Sequence, residues 1–243
     1  MNLKNLFSKK KDAGTDLYAK SVNSLGIDTI TKEKMCEMVK KRDKIVEQEF
    51  SRGYNLIKKY PRSVSILGSA KLKEDNKYYQ QAKTLAEKIV QELKYAVVTG
   101  GGPGIMEAAN RGAYEGGGVS LGFTIKLPDE QSTNEYLTEH VEFENLFSRT
   151  TLIFFSAETY VYFPGGFGTI DEFFEIVTLM ETGKLPRVPV ILVGKEFWEP
   201  ILKLIKDELY EKFHTIKFED LSIYKIVDDN DEIIKIIKNA PFN

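Results

Sequence analysis

The sequence contains very few of the residues that build metal, disulfide or redox sites. Among its 243 residues, cysteine occurs once, as Cys36, and histidine occurs twice, as His140 and His214. A single cysteine excludes an internal disulfide framework and any zinc or redox site of the Cys-x-x-Cys type. Because the two histidines lie far apart in the sequence, we expect no histidine-rich centre and no bound metal.

An excess of one charge and long apolar runs are also missing. The chain has 34 basic and 36 acidic side chains, and the resulting net charge of −2 provides no general attraction to nucleic acid. No apolar run approaches the ~18–20 residues that span a bilayer, and residues 1–12 lack the apolar stretch of a signal peptide. We therefore expect a cytoplasmic protein that binds neither nucleic acid nor membranes.

The N-terminal quarter of the chain has a helical pattern. Apolar residues at three- and four-residue intervals predict an amphipathic helix over about residues 31–59. Tyr60-Pro61 ends this pattern, because the residue before a proline is disfavoured in the helical conformation. We predict that residues 1–61 form a tail and a helical extension, and that residues 62–243 form a second domain. One hypothesis is that the extension covers a partner subunit.

After residue 62, short and almost continuously apolar runs alternate with helical patterns. The predicted strands cover residues 64–67, 96–99, 119–125, 141–143, 159–163, 190–193 and 223–227. Such strands are typical of a parallel sheet that is covered on both faces. The sequence therefore predicts an α/β fold: a Rossmann-like, doubly wound parallel sheet with helices on both faces and an N-terminal helical extension.

Two glycine-rich turns each follow a predicted strand and precede a helix. Their sequences are Gly100-Gly101-Gly102-Pro103-Gly104, with Pro103 expected in the first helical turn, and Pro164-Gly165-Gly166-Phe167-Gly168-Thr169. In doubly wound sheets, ligands bind outside the carboxyl ends of the strands, and the amides of a helix N-terminus attract anions. One such turn needs no ligand to explain it, but two of them favour a ligand that carries phosphate.

The known cofactor motifs are missing from both turns. Ile105 occupies the position of the last glycine in G-x-G-x-x-G, and residues 120–123 offer no carboxylate for the ribose of NAD. Neither turn has the Gly-Lys-Ser/Thr ending of a P-loop. No lysine lies inside either turn after a strand, as a pyridoxal site would require. We expect a mononucleotide ligand and no cofactor.

The second turn resembles the signature of a known family. Residues 164–172 read Pro-Gly-Gly-Phe-Gly-Thr-Ile-Asp-Glu and match the PGGxGTxxE signature of the Lonely Guy family. Residues 99–112, 127–131 and 147–149 resemble further family segments, so that the likeness covers about residues 63–212. Characterised members are cytokinin riboside 5′-monophosphate phosphoribohydrolases, which were long mislabelled as lysine decarboxylases.

The resemblance implies an activity and a set of site residues. The implied reaction is hydrolysis of the N-glycosidic bond of AMP or a cytokinin riboside monophosphate to a free base and ribose 5-phosphate, a step of cytokinin biosynthesis. Arg149 and Glu172 are the implied catalytic pair. The implied substrate-binding residues are Gly101, Gly102, Glu130, Gly165, Gly166, Gly168, Thr169 and Thr178. The family is typically dimeric, so we expect a homodimer or a higher homo-oligomer.

The chemistry gives Glu172 a clear role. Cleavage of the glycosidic bond builds positive charge on the ribose, and a carboxylate can stabilise this charge while it orients or deprotonates water. Arg149 offers a permanent cation for the phosphate or the departing base. The spacing of Thr169 and Glu172 also fits a capping box, which places Glu172 in the first turn of its helix.

A second function remains open at this point. The family usually has lysine directly after the arginine of the catalytic pair, whereas Thr150 follows Arg149 here. The alternative hypothesis is a non-catalytic nucleotide-binding protein of the same fold.

Overall fold

A computed structural model of the chain describes residues 32–126 and 133–240. It divides the chain into two compact units, Met1–Ile45 and Val46–Asn243. The described part of the first unit, residues 32–45, is helical and belongs to α1 (Lys32–Ile57), which ends in the second unit. The helix predicted over about residues 31–59 is therefore present. The domain division at residue 61 stays a prediction.

The second unit alternates strands and helices. The strands are β1 (Ser63–Leu67), β2 (Ala96–Thr99), β3 (Ser120–Ile125), β4 (Glu139–Phe143), β5 (Tyr160–Tyr162), β6 (Val190–Leu192) and β7 (Tyr224–Ile226). The helices are α2 (Lys77–Lys88), α3 (Ile105–Glu115), α4 (Leu146–Phe155), α5 (Phe167–Glu181), α6 (Lys195–Leu204) and α7 (Asn230–Asn239). Two π-helical segments, Ile89–Leu93 and Ile205–Lys212, follow α2 and α6, and a 3₁₀ helix covers Phe218–Ser222. None of the described helices has the length and apolar character needed to cross a membrane.

All neighbouring strands of the sheet are parallel, in the order β4-β3-β2-β1-β5-β6-β7. From β1 the chain winds through β2 and β3 to β4 at one edge, and it then returns to place β5 on the other side of β1. The direction of winding therefore changes between β1 and β5. This topology confirms the predicted Rossmann-like, doubly wound parallel sheet.

Successive side chains of the strands point alternately into two apolar cores. In β2, Val97 packs into the core formed with α2, α3 and α7, whereas Val98 packs into the core formed with α1, α4, α5 and α6. Val161 and Tyr162 in β5 are divided in the same way. Because both faces of the sheet are covered at its centre, the central strands have almost continuously apolar sequences. Leu56 places the C-terminal part of α1 in the second core.

Two helix starts differ from the prediction in ways that affect the site. Helix α5 begins at Phe167 with Gly166 as its N-cap, so Glu172 lies in the second turn and the predicted capping box is wrong. A capping residue must precede the helix, and Thr169 is already inside it. Helix α3 begins at Ile105, so Pro103 lies ahead of the first helical turn. Helix α4 continues past Arg149 to Phe155.

Candidate active site

A cleft of about 380 Å³ lies at the carboxyl ends of the central strands. It is lined by residues 68–71 after β1, Gly100 and Met106 after β2, and Gly166, Gly168, Thr169 and Glu172 after β5, together with Ile125, Leu146 and Arg149. The cleft thus lies at the change of winding between β1 and β5, where doubly wound sheets bind their ligands. Its volume is in the range of small-molecule sites.

Arg149 and Glu172 meet in this cleft. Nη1 of Arg149 donates a hydrogen bond of 2.5 Å to Oε1 of Glu172, and its Nε donates one of 3.1 Å to the backbone oxygen of Phe123. Only 10% of the Arg149 side chain and 12% of the Glu172 side chain are exposed. The two residues of the predicted catalytic pair therefore form one largely buried ion pair.

Burial sets the proton affinity of Glu172. The loss of water raises the pKa of its carboxyl above the ordinary value of 4.5, and the neighbouring Arg149 guanidinium opposes this rise without cancelling it. A carboxylate with a raised pKa is a stronger base than one in water. Glu172 is thus suited to accept a proton from a molecule in the cleft.

The second glycine turn provides a wall that attracts anions. Gly166 is the N-cap of α5, and no side chain among the described residues caps this helix. The first amides of α5 therefore keep their hydrogen-bonding capacity, and the helix dipole adds partial positive charge. Gly166, Gly168 and Thr169 line the cleft, and Gly165 lies behind them against the Thr169 side chain. This arrangement can bind a phosphate group.

The first glycine turn presents Gly100 to the cleft. A Cβ on Gly100 would lie 2.0 Å from Nη2 of Arg149, so only glycine leaves space for the guanidinium. Gly101 and Gly102 are buried behind it. The Gly101 amide donates to Oγ1 of Thr99 over 2.8 Å, and the Gly102 carbonyl accepts a bond of 3.0 Å from Nδ2 of Asn134. Neither glycine is among the described residues that line the cleft.

A comparison with models of protein families shows the family to which the chain belongs. The family model described as "Possible lysine decarboxylase" matches residues 106–237, which is more than half of the chain. The chain belongs to this family, the Lonely Guy family.

Curated relatives carry the name that the resemblance implied. The cytokinin riboside 5′-monophosphate phosphoribohydrolase of Rhodococcoides fascians is 27% identical over 160 residues, which cover 64% of this chain and 79% of that protein. A protein of the same name from Arabidopsis thaliana is 28% identical over 138 residues, which cover 56% of this chain and 64% of that protein. The chain thus spans just under two thirds of the length of the Arabidopsis relative.

Solved structures share the fold. The molybdenum cofactor carrier protein of Chlamydomonas reinhardtii is similar with a TM-score of 0.52 and 22% identity, over 73% of this chain and 96% of that chain. The molybdenum cofactor binding protein of Rippkaea orientalis gives a TM-score of 0.51 and 20% identity, over 72% of this chain and 93% of that chain. At these identities the similarity establishes the fold alone.

Several residues that the Lonely Guy resemblance implied lie away from the cleft. Thr178 is exposed farther along α5, and its hydroxyl donates a bond of 2.8 Å to the backbone oxygen of Phe174. Glu130 lies outside the described residues. Thr150 is 6% exposed and is not among the residues that line the cleft. The nucleotide-binding roles of Thr178, Glu130, Gly101 and Gly102 stay predictions.

The cleft also contains residues that the sequence analysis missed. Lys71 lines it directly after the turn 68–70 that follows β1, and its amide donates a bond of 3.0 Å to Oγ of Ser69. Gly100 is the second missed residue. The sequence does point to Lys71, because a third turn directly follows a buried strand and this lysine comes directly after it. Lys71 is a cationic residue of the cleft lining, whereas Thr150 is neutral and is not part of that lining.

The described residues do not include a cluster of three or more His, Cys, Asp or Glu side chains that is suited to a metal ion. Among the described residues that line the cleft, the charged ones are Lys71, Arg149 and Glu172.

Proposed function

We propose that this protein hydrolyses the N-glycosidic bond of a nucleoside 5′-monophosphate and releases a free base and ribose 5-phosphate. The relatives named phosphoribohydrolases support a hydrolase activity in general. The single observation that carries the proposal is the buried pair of Arg149 and Glu172 beside the uncapped N-terminus of α5. This pair puts a basic carboxylate next to a site for phosphate.

The phosphate binds at the start of α5 in this proposal. The amides of Gly168 and Thr169 and the dipole of α5 favour an anion there. Lys71 also lines the cleft, and in this proposal its ammonium group is the second source of positive charge for the phosphate. Phosphate is the part that all nucleoside 5′-monophosphates share, so these contacts select for the class and not for the base.

Glu172 then acts on the ribose. As the bond between C1′ and the base nitrogen breaks, its electron pair leaves with the base and positive charge develops on the ribose ring. The carboxylate stabilises this charge and accepts a proton from the water that attacks C1′. The base nitrogen gains a proton from solvent as it leaves, and Glu172 returns its own proton to solvent, so that water is divided between the base and C1′. Arg149 orients the carboxylate through the 2.5 Å hydrogen bond and lends positive charge to the departing base.

A substrate panel tests the proposal directly. We expect the purified protein to release a free base from AMP or isopentenyl-AMP, with the base separated by chromatography. Glu172→Gln should lose about 10²–10⁴-fold of this activity. Glu181→Gln, the same substitution at the exposed end of the same helix, should retain it. Folded protein that releases no base from any nucleoside monophosphate would contradict the proposal.

The relatives' names favour a cytokinin riboside 5′-monophosphate over plain AMP as the physiological substrate. The two share the ribose and the phosphate and differ in the group attached to the base. A ratio of kcat/KM well above one for isopentenyl-AMP over AMP would support a role in cytokinin biosynthesis. A ratio at or below one would contradict that role and leave the hydrolase activity intact.

A non-catalytic nucleotide-binding protein is the second candidate. It is favoured by Thr150, a buried neutral side chain where the family usually has lysine. This candidate predicts that AMP raises the melting temperature without release of adenine, and that Glu172→Gln leaves this rise unchanged.

We also propose that the chain forms a homodimer or a higher homo-oligomer. Large apolar side chains beside the cleft are exposed, including Phe147, Phe174 and Phe167, which is 97% exposed. Contiguous exposed apolar surface is typical of protein interfaces. Leu146 and Gly168 line the cleft next to these residues, so a second copy docked there would shield the cleft from water.

A further inference from the structure

A buried carboxylate that the proposed mechanism does not use lies at the start of the helix that carries Arg149. Glu49 on α1 is fully buried. Its Oε1 accepts hydrogen bonds from the backbone amides of Glu144 at 2.6 Å and Asn145 at 3.2 Å. Its Oε2 accepts bonds from Nδ2 of Asn145 at 3.1 Å and from Oγ of Ser148 at 2.5 Å. One carboxylate thus holds the whole turn between β4 and α4.

Glu49 binds the amide of Asn145, the N-cap residue of α4, and that of the residue before it. The helix begins after Asn145, whose own side chain forms no capping bond within the described part of the chain. A helix N-terminus needs acceptors for its free amides and is stabilised by negative charge. The Glu49 carboxylate supplies the negative charge there, and it also binds the hydroxyl of Ser148, the residue directly before Arg149.

The C-terminal part of α1 also packs against α4 on either side of Arg149. A Cβ on Gly53 would lie 2.5 Å from Cδ1 of Leu152, so the two helices approach closely at this glycine. Nearer the start of α4, before Arg149, the rings of Phe50 and Phe147 have centroids 6.2 Å apart. Contacts with α1 therefore lie on both sides of Arg149 along α4.

The hydrogen bonds keep the Glu49 carboxyl ionised. Burial by itself raises its pKa, but the bonds from Ser148, Glu144 and Asn145 outweigh this effect and hold the pKa below the ordinary value of 4.5. Every one of these bonds requires an acceptor at position 49. A glutamine there keeps the shape but turns one of the two acceptors into a donor.

We propose that Glu49 is a positioning residue, which holds α4 so that Arg149 reaches both Glu172 and the backbone oxygen of Phe123. The kinetic part of this inference rests on the proposed hydrolase function. Glu49 lies outside residues 106–237, the part that the family model matches. The helical extension therefore contributes to the geometry of the active site from outside the matched core.

The kinetic test compares two substitutions on α1 in the full chain. Glu49→Gln is expected to lower kcat for nucleoside monophosphate hydrolysis about 10- to 100-fold, because small displacements of a catalytic group are this costly. KM should change less than about threefold, since the proposed phosphate contacts lie on α5 and at Lys71. Glu47→Gln, an exposed position two residues away, is the matched control and should leave both constants unchanged.

A second measurement does not depend on turnover. The Nε–H signal of Arg149 in a ¹⁵N correlation spectrum is assigned by its loss in Arg149→Lys. We expect Glu49→Gln to shift or broaden this signal, because Nε–H donates to Phe123, whereas Glu47→Gln should not move it. If the wild-type protein releases no base, the hydrolase proposal fails, and this spectrum alone decides the positioning role.

The outcomes separate positioning from a merely structural role. A lower melting temperature of Glu49→Gln with wild-type kcat and an unmoved Arg149 signal would overturn the inference. If Glu49→Gln does not fold, Ser148→Ala removes one of the four bonds and is expected to give a smaller loss of kcat and a shift of the same signal. Wild-type values of both in Ser148→Ala would then overturn it.

Discussion

The guanidinium of Arg149 lies directly against the backbone of Gly100. A Cβ at position 100 would stand 2.0 Å from Nη2 of Arg149 and 2.8 Å from Sδ of Met106. On its other sides Arg149 is bound to Glu172 and to the backbone oxygen of Phe123. The guanidinium therefore cannot retreat from a side chain at position 100 without losing one of these bonds.

We expect Gly100→Ala to displace Arg149 from Glu172. The loss in kcat should be about 10- to 100-fold, and the free energy of unfolding should fall by about 1–3 kcal/mol because the site becomes overpacked. Steady-state kinetics and denaturant unfolding measure the two effects. A second substitution, Met106→Ala, relieves the contact with the sulfur alone and should not restore kcat. Wild-type kcat in Gly100→Ala would contradict the close fit.

The activity should decline as the pH is lowered through the raised pKa of Glu172. The proposed mechanism needs the ionised carboxylate, and its ionised fraction falls with decreasing pH. Because burial raises this pKa in the free protein, the midpoint of the acid limb of kcat/KM should lie above pH 4.5. A profile of kcat/KM against pH, with the fold checked at each point, gives the midpoint. Activity that instead rises towards acid pH would mean that Glu172 acts as a proton donor.

Lys71→Ala should weaken substrate binding and spare the chemical step. The loss of one charged contact to phosphate predicts an increase in KM of about tenfold, with kcat changed less than about threefold. Lys73→Ala removes an exposed lysine two residues away, outside the cleft lining, and is the control. Equal effects of both substitutions would show that only the general charge of this segment matters.

Phe167→Asp should reduce self-association. Phe167 is 97% exposed at the first position of α5, beside the residues that line the cleft. A charge placed inside an apolar interface is strongly unfavourable. We expect light scattering to give the mass of a dimer or a higher oligomer for the wild-type chain and a smaller mass for the variant. A monomeric wild-type chain would contradict the proposed oligomer.

Sequence pattern alone was sufficient to predict the fold class and the positions of most elements. A strand buried on both faces has an almost continuously apolar sequence, and such runs marked β1, β2 and β5 together with the turns that follow them. The family likeness selected Arg149 and Glu172, which the structure brings into one ion pair. The local sequence pattern was sufficient here because burial on both faces and tight turns each restrict the residue types at consecutive positions.

The construction of the cleft depends on contacts between residues that are distant in the sequence. Backbone angles decide which glycine of a turn faces a cleft, and a run of glycines does not restrict these angles. In the structure, Gly100 is the glycine of the first turn that lines the cleft. Lys71 became a cleft residue through the parallel pairing of β1 with β5. Glu49 lies 95 residues before the amide of Glu144 that it binds. A contact over this distance depends on how helices pack on the sheet, and no local periodicity encodes that packing.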